Sequence, residues 1–178
     1  RRQRQMCIRD SHKLDQGFLE KVAGVSGYRV YLYKGKKLAK SVDTTKRTLT
    51  FKKLSKGTGY KIVVKAYKTI DGKKSLSLVS KELLTATKLS APTSVKVKAG
   101  KKRAIISWTK DKSANSYTVY YSTKKNSGFK KLTVIKNSAD IKKLTSGKTY
   151  YFKVVANKKA GKAVVASDFS KLVSAKIK

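Results

Sequence analysis

The chain has 178 residues, of which 39% are hydrophobic, and its 45 lysines and arginines against 9 acids give a net charge of +36. That apolar content suffices for a packed core, so the low acid content does not indicate disorder of the whole chain. No apolar run approaches the roughly 18 residues that span a bilayer, and the single cysteine, Cys7, excludes an internal disulfide. We therefore expect a folded, strongly basic protein that attracts anionic polymers.

Residues 1–11 differ in composition from the rest of the chain. Four of the seven arginines lie in the first nine residues, where there is no lysine, whereas the remainder carries 38 lysines and three arginines. The string RRQRQMCIRDS resembles translated sequencing-adapter sequence, and the alternative is a disordered basic tail. Both interpretations exclude residues 1–11 from the fold, and the net charge without them is still +33.

Sequence motifs recur at a spacing of about ninety residues, which indicates a repeated domain. Seven residues recur at one offset: Leu54, Gly57, Tyr60, Val64, Ala66, Ser77 and Ser80 reappear as Leu144, Gly147, Tyr150, Val154, Ala156, Ser167 and Ser170. Upstream, the string GYRVY at residues 27–31 matches SYTVY at residues 116–120. We expect a first domain over residues 12–88 and a second over residues 89–178.

Apolar residues alternate with polar ones in both repeats, which predicts half-buried β-strands rather than helices. In chain order, this pattern covers residues 60–66, 83–87, 95–98, 150–156 and 173–177. Gly100, Gly147 and Gly161 mark turns between the strands. Short strands in units of about ninety residues predict an all-β fold of immunoglobulin-like β-sandwiches.

The recurring residues from Leu144 to Ala156 resemble the L-x-x-G-x-x-Y-x-x-x-V-x-A signature of the fibronectin type III domain, as do those from Leu54 to Ala66. Pro92 before the first strand, and Trp108 nine residues before Tyr117, are also similar to that family. The lack of a cysteine pair favours it over a true immunoglobulin domain. The resemblance covers residues 91–178 fully and residues 22–88 in part.

The first repeat departs from this pattern at its start. Leu19 occupies the position nine residues before Tyr28 where the second repeat has Trp108. Too few residues precede Leu19 for a complete first strand. We therefore expect the first sandwich to be truncated, without strand A and at least part of strand B.

Most of the aromatic residues have a structural interpretation. The resemblance implies that Tyr60 and Tyr150 are corner residues whose hydroxyls bond to upstream backbone, and Trp108 falls on a strand face where core residues are expected. Four more tyrosines, Tyr31, Tyr33, Tyr120 and Tyr121, lie on the strand that we expect to be the third of each domain. Some of these must point outward, and for them ligand binding and simple exposure both stay open.

No catalytic, cofactor or metal site is expected. General acid–base chemistry needs a positioned pair of titratable groups, and the acids here are isolated among lysines. The one histidine, His12, adjoins the atypical first segment, which excludes histidine triads and multi-histidine metal sites. The sequence also lacks a glycine-rich phosphate-binding motif. We predict no enzyme activity for this chain.

The resemblance implies a spacer or binding module of a secreted or cell-surface protein, similar to lysine-rich domains of Gram-positive bacteria, with its signal peptide outside this sequence. Neighbouring domains of a longer chain are expected as partners. Five lysines are candidates for contact with wall polymers or glycans: Lys61, Lys65, Lys96, Lys98 and Lys153. Two alternatives are a nucleic-acid-binding protein, which the scarcity of arginine opposes, and an accessory domain of a polysaccharide-degrading enzyme.

Overall fold

The computed structural model describes residues 22–178, and within that range every regular element is a β-strand. The chain divides into two compact units. The first ends at Lys88 and also takes in Lys159–Val165, and the second comprises Leu89–Lys158 and Ala166–Lys178. The expected truncation of the first sandwich, and the atypical segment 1–11, concern residues outside the described range.

Residues 22–88 form an antiparallel five-stranded sheet. Its strands in chain order are β1 (Gly27–Lys34), β2 (Lys37–Thr44), β3 (Gly59–Ile70), β4 (Lys73–Leu76) and β5 (Leu83–Ala86). Across the sheet the order is β2-β1-β3-β4, and β5 also pairs with β3. The register sets Leu32 of β1 opposite Ile62 of β3. The twelve-residue strand β3 is therefore paired along both of its edges.

Residues 89–178 form two antiparallel sheets. The strands are β6 (Lys96–Gly100), β7 (Arg103–Ser107), β8 (Ser116–Ser122), β9 (Lys130–Val134), β10 (Ser138–Lys142), β11 (Thr149–Ala160), β12 (Ala163–Ala166) and β13 (Val173–Lys176). One sheet has the order β10-β7-β6. The other has the order β12-β11-β8-β9, and β13 also pairs with β11.

Alternate residues of these two sheets fill one core, because side chains two apart along a strand share a face. Ile106 of β7, Val119 of β8 and Phe152 of β11 are fully buried in the same cluster. Trp108 lies in that core as well, and the centre of its ring is 5.2 Å from the centre of the Tyr117 ring. The predicted β-sandwich and all-β fold are confirmed.

The signature residues occupy matching places in the two repeats. Most of the signature residues are buried in two apolar cores. Leu54 and Tyr60 lie in the first core, and Leu144, Val154 and Ala156 lie in the second. Val64 packs against the first core and Tyr150 against the second, while Ala66 is half-buried on β3. Gly57 and Gly147 have φ angles of 57° and 77°, in the left-handed region that favours glycine.

A pair of serines completes the hydrogen bonding of β11 where its edge partner is interrupted between β12 and β13. The N–H of Ser167 donates to the carbonyl of Ala156 at 2.8 Å, and the N–H of Ala156 donates to Ser167 Oγ at 2.9 Å. Ser170 forms the same two bonds with Val154, at 2.8 and 2.9 Å. Each serine thus replaces one residue of a paired strand, and residues 168–169 project between them.

The first repeat contains the same arrangement between β4 and β5. Ser77 exchanges two hydrogen bonds with Ala66, at 2.8 and 3.0 Å, and Ser80 exchanges two with Val64, at 2.8 and 2.9 Å. The recurrence of these serines in the sequence therefore reflects a shared backbone requirement. The N–H and C=O groups of a strand need partners, and here a side chain supplies half of the bonds.

Tyrosine hydroxyls bond to upstream backbone in both repeats. The hydroxyl of Tyr117 accepts from the N–H of Asp111 at 2.8 Å and donates to its carbonyl at 3.3 Å, while Tyr28 accepts from the N–H of Val22 at 3.0 Å. Tyr150 accepts more weakly from the N–H of Thr145, at 3.2 Å. Hydrogen bonding with the side chain and then the backbone of Thr145 lowers the pKa of Tyr150.

We predict that Tyr117→Phe destabilises the second repeat by about 1 to 2 kcal/mol, because two backbone groups of Asp111 lose a part-buried partner. Tyr150→Phe should cost less than about 1 kcal/mol, since water replaces its hydroxyl at the exposed Thr145. Urea unfolding of both variants measures the two costs. Equal costs, or a larger cost for Tyr150→Phe, would contradict this ranking.

Gly147→Ala should destabilise the second repeat by about 1 to 2 kcal/mol through its backbone conformation alone. A Cβ at Gly147 meets no atom within 4 Å, so its φ of 77° is the source of the cost. Gly59→Ala is the control, because Gly59 lies in a strand where alanine is tolerated. Thermal unfolding of both variants tests this, and an unchanged midpoint for Gly147→Ala would show that the turn is not constrained.

Candidate basic surface

Two of the three arginines outside the first segment form bidentate ion pairs with aspartates. Nε and Nη2 of Arg29 lie 2.6 and 2.8 Å from the carboxylate oxygens of Asp43. Nε and Nη2 of Arg103 lie 3.1 and 2.6 Å from those of Asp140. Lys74 also contacts Asp43, at 2.6 Å. The Nε and Nη2 donors of both guanidinium groups are thus directed at protein carboxylates.

These contacts shift the ionisation of the first pair. The hydrogen bonds from Arg29, and then those from Lys74, hold the pKa of Asp43 well below its usual range. The hydrogen bond to Asp43 raises the pKa of Arg29 further above its ordinary value. Both groups stay charged at every physiological pH. The pair therefore favours the register of β1 and β2, in which Arg29 and Asp43 are direct neighbours.

Lysine is left as the main source of positive charge on the surface. Residues 22–178 contain 36 lysines and six acids, and three of these acids form the ion pairs Asp43–Arg29, Asp140–Arg103 and Glu82–Lys61. An acid can bind two bases, as Asp43 does, but six acids still leave most lysine charges uncompensated. The positive electrostatic potential of the described surface therefore comes mainly from lysines.

The predicted lysines of the first repeat lie on the outward face of β3, but they differ in their surroundings. Lys61 Nζ lies 2.6 Å from Glu82 Oε1 and 5.2 Å from the centre of the Tyr33 ring. Its charge is therefore compensated by an acid. Lys65 is half-buried four residues further along the same face. Of these two, Lys65 is the better candidate for contact with a polyanion.

The predicted lysines of the second repeat lie on different sheets. Lys96 and Lys98 are exposed at alternate positions of β6, where Val97 packs against the core between them. Lys153 lies on β11. It is half-buried rather than exposed, because it lies between two phenylalanine rings. Its Nζ lies 4.2 Å from the centre of the Phe129 ring and 4.1 Å from that of Phe169. The sequence-based candidates therefore do not converge on one site.

Outward tyrosines flank these lysines in both repeats. Tyr31 and Tyr33 share the outward face of β1, and their ring centres are 6.5 Å apart. In the second repeat Tyr120 faces outward, whereas Tyr121 packs against the core. Sequence reasoning missed Phe129 and Phe169, because both lie outside the alternating strand segments and only the fold brings them to Lys153.

Nothing in the described residues 22–178 forms a cluster of three or more side chains from His, Cys, Asp and Glu that could hold a metal ion. Within the same residues, no helix is long and apolar enough to cross a membrane. Asp43, Glu82 and Asp140 bind lysine or arginine rather than one another. The chemistry of the surface is therefore that of lysine ammonium groups and exposed aromatic rings.

The chain is similar to proteins of one domain family. Residues 90–170 match the family model described as the fibronectin type III domain. No curated protein matches the chain. The FN1–FN3 domains of chicken CNTN1 are 21% identical to it, over 85% of this chain and 56% of that chain, with a TM-score of 0.47. The chain thus spans little more than half the length of that structure.

A second similar structure is a segment of two fibronectin type III domains from chicken tenascin. It is 21% identical to this chain, with a TM-score of 0.47, and the match covers 93% of this chain and 91% of the segment. The match of the family model and the two-sheet core described above agree for the second repeat. Residues 90–170 thus match the fibronectin type III domain and lie within an all-β chain.

Proposed function

We propose that this chain is a non-catalytic spacer and binding module of a secreted or cell-surface bacterial protein, and that its lysine surface attracts anionic polymers such as wall polymers and glycans. Fibronectin type III domains are typically non-catalytic and commonly extracellular. The observation that carries the proposal is the division of the basic residues. Arg29 and Arg103 bind Asp43 and Asp140, while most lysines of residues 22–178 have no acid to compensate them.

The geometry favours contact with an extended ligand rather than a small one. In the second repeat Lys96 and Lys98 lie on β6, whereas Lys153 lies on β11 of the other sheet, so these candidates are spread over both sheets of the sandwich. The screening length is about 8 Å at physiological ionic strength, so separate lysines act together only on a ligand that follows the surface. Extended polyanions should therefore bind better than monovalent anions.

Sequence-specific reading of nucleic acid is disfavoured by the same observations. Bidentate recognition of bases depends chiefly on arginine. Here Arg29 and Arg103 use their bidentate geometry on Asp43 and Asp140. DNA should therefore bind only as one polyanion among others, through its phosphates.

We predict that the chain binds a teichoic acid, heparin and a random DNA duplex with affinities that fall together as salt rises. Release of counterions makes log K decrease roughly linearly with log salt. Lys96→Gln/Lys98→Gln should reduce the slope by up to about 0.9 for each lysine that contacts an anionic group. Lys96→Arg/Lys98→Arg keeps both charges and is the matched control. Titrations at four or more salt concentrations measure the slopes.

Two results would contradict the proposal. A strong preference for one DNA sequence that survives high salt would indicate specific nucleic-acid recognition. Failure to bind any of the three polymers at the lowest salt concentration would leave the spacer role alone.

A further inference from the structure

An aromatic patch lies on the outward face of the β9-β8-β11 sheet in the second repeat. We define the patch as Tyr120, Phe129 and Phe169 with Lys131 and Lys153. We propose that it binds the pyranose rings of an anionic polysaccharide. The inference rests on the proposed function and narrows it, because it selects ring-containing polyanions over ringless ones.

The sheet register brings the central residues of the patch together. Tyr120 of β8 pairs with Lys131 of β9 on one side and with Lys153 of β11 on the other. The Nζ atoms of the two lysines contact different rings: Lys131 lies 5.4 Å from the centre of the Tyr120 ring, and Lys153 lies 4.1 Å from that of Phe169. Two positive charges and three rings thus occupy one small area of surface.

The serine pair Ser167 and Ser170 fixes the most exposed ring of the patch. Phe169 projects between these serines, each of which is bonded twice to the backbone of β11. The ring stands at 84° to that of Tyr120, with the ring centres 5.0 Å apart, and 47% of Phe169 remains exposed. An exposed phenylalanine held in this way presents its ring to a ligand with little loss of conformational freedom on binding.

The chemistry of the patch fits a sugar that carries acid groups. Aromatic faces are electron-rich and attract groups with a partial positive charge, such as the C–H bonds on the face of a pyranose. The ammonium groups of Lys131 and Lys153 can bind sulfate or carboxylate substituents on the same sugar. Because the rings of Tyr120 and Phe169 are nearly perpendicular, a chair-shaped ring contacts both through C–H bonds, whereas a flat base stacks on one only.

The first repeat provides a matched control. Val79 occupies the position equivalent to Phe169 and lies between Ser77 and Ser80, which form the same backbone bonds. Val79 is 60% exposed, but it has no ring. The backbone geometry is thus shared by both repeats, and the aromatic ring is specific to the second.

The test compares heparin with inorganic polyphosphate, which is highly charged but has no ring. At one fixed salt concentration, Phe169→Ala and Phe169→Leu in the full chain should each lower affinity for heparin about 3- to 10-fold, corresponding to the contribution of one aromatic contact. Affinity for polyphosphate, and the salt slope for heparin, should not change. Phe169→Tyr should bind as the wild type does, and Val79→Ala should change neither affinity.

Several outcomes would overturn the inference. If both polymers bind the wild type but the Phe169 variants bind heparin normally, the polyanion surface stands and the sugar site falls. Equal losses for heparin and polyphosphate, or an equal loss for single-stranded DNA, would show that the ring does not select sugars. If neither heparin nor polyphosphate binds the wild type at low salt, the proposed function fails and the sugar site fails with it. Thermal unfolding checks that each variant is folded.

Discussion

Each repeat depends on one twelve-residue strand that is hydrogen-bonded along both edges, β3 in the first and β11 in the second. One edge pairs with a neighbouring strand without interruption over seven residues. The other edge pairs with two short strands, and the serine pair supplies the bonds between them. Without the hydroxyls of these serines, two backbone N–H groups in the middle of each long strand would need another partner.

Side chains on the two faces of these strands have different roles: one face forms the core, and the other carries the outward lysines. Phe152 and Val154 point into the core, whereas Lys153 between them points outward and meets aromatic rings. A change of register by one residue would exchange the two sets, so the buried face fixes the position of every outward lysine on the strand. The basic surface is in this sense specified by the core.

Strands, repeats and core residues could be predicted from the sequence, because period-two alternation is visible in neighbouring residues and the repeat in matching residues at one constant offset. The arrangement of charge could not. Lys61 and Glu82 are 21 residues apart, and Arg103 and Asp140 are 37 apart, so only the folded sheets bring them together. The recurrence of Ser167 was visible in the sequence, but its bond to Ala156 depends on an interrupted edge strand that no local pattern indicates.

The proposed function requires lysines that contact an anionic polymer, and chemical labelling of amines tests that contact most directly. The full chain would be acylated with and without saturating heparin, and the labelling rate of each lysine measured by mass spectrometry. We predict slower labelling of exposed lysines on more than one sheet, with Lys131 among the most strongly protected and Lys61, already paired with Glu82, little changed. Labelling rates that heparin leaves unchanged at every lysine would contradict the account.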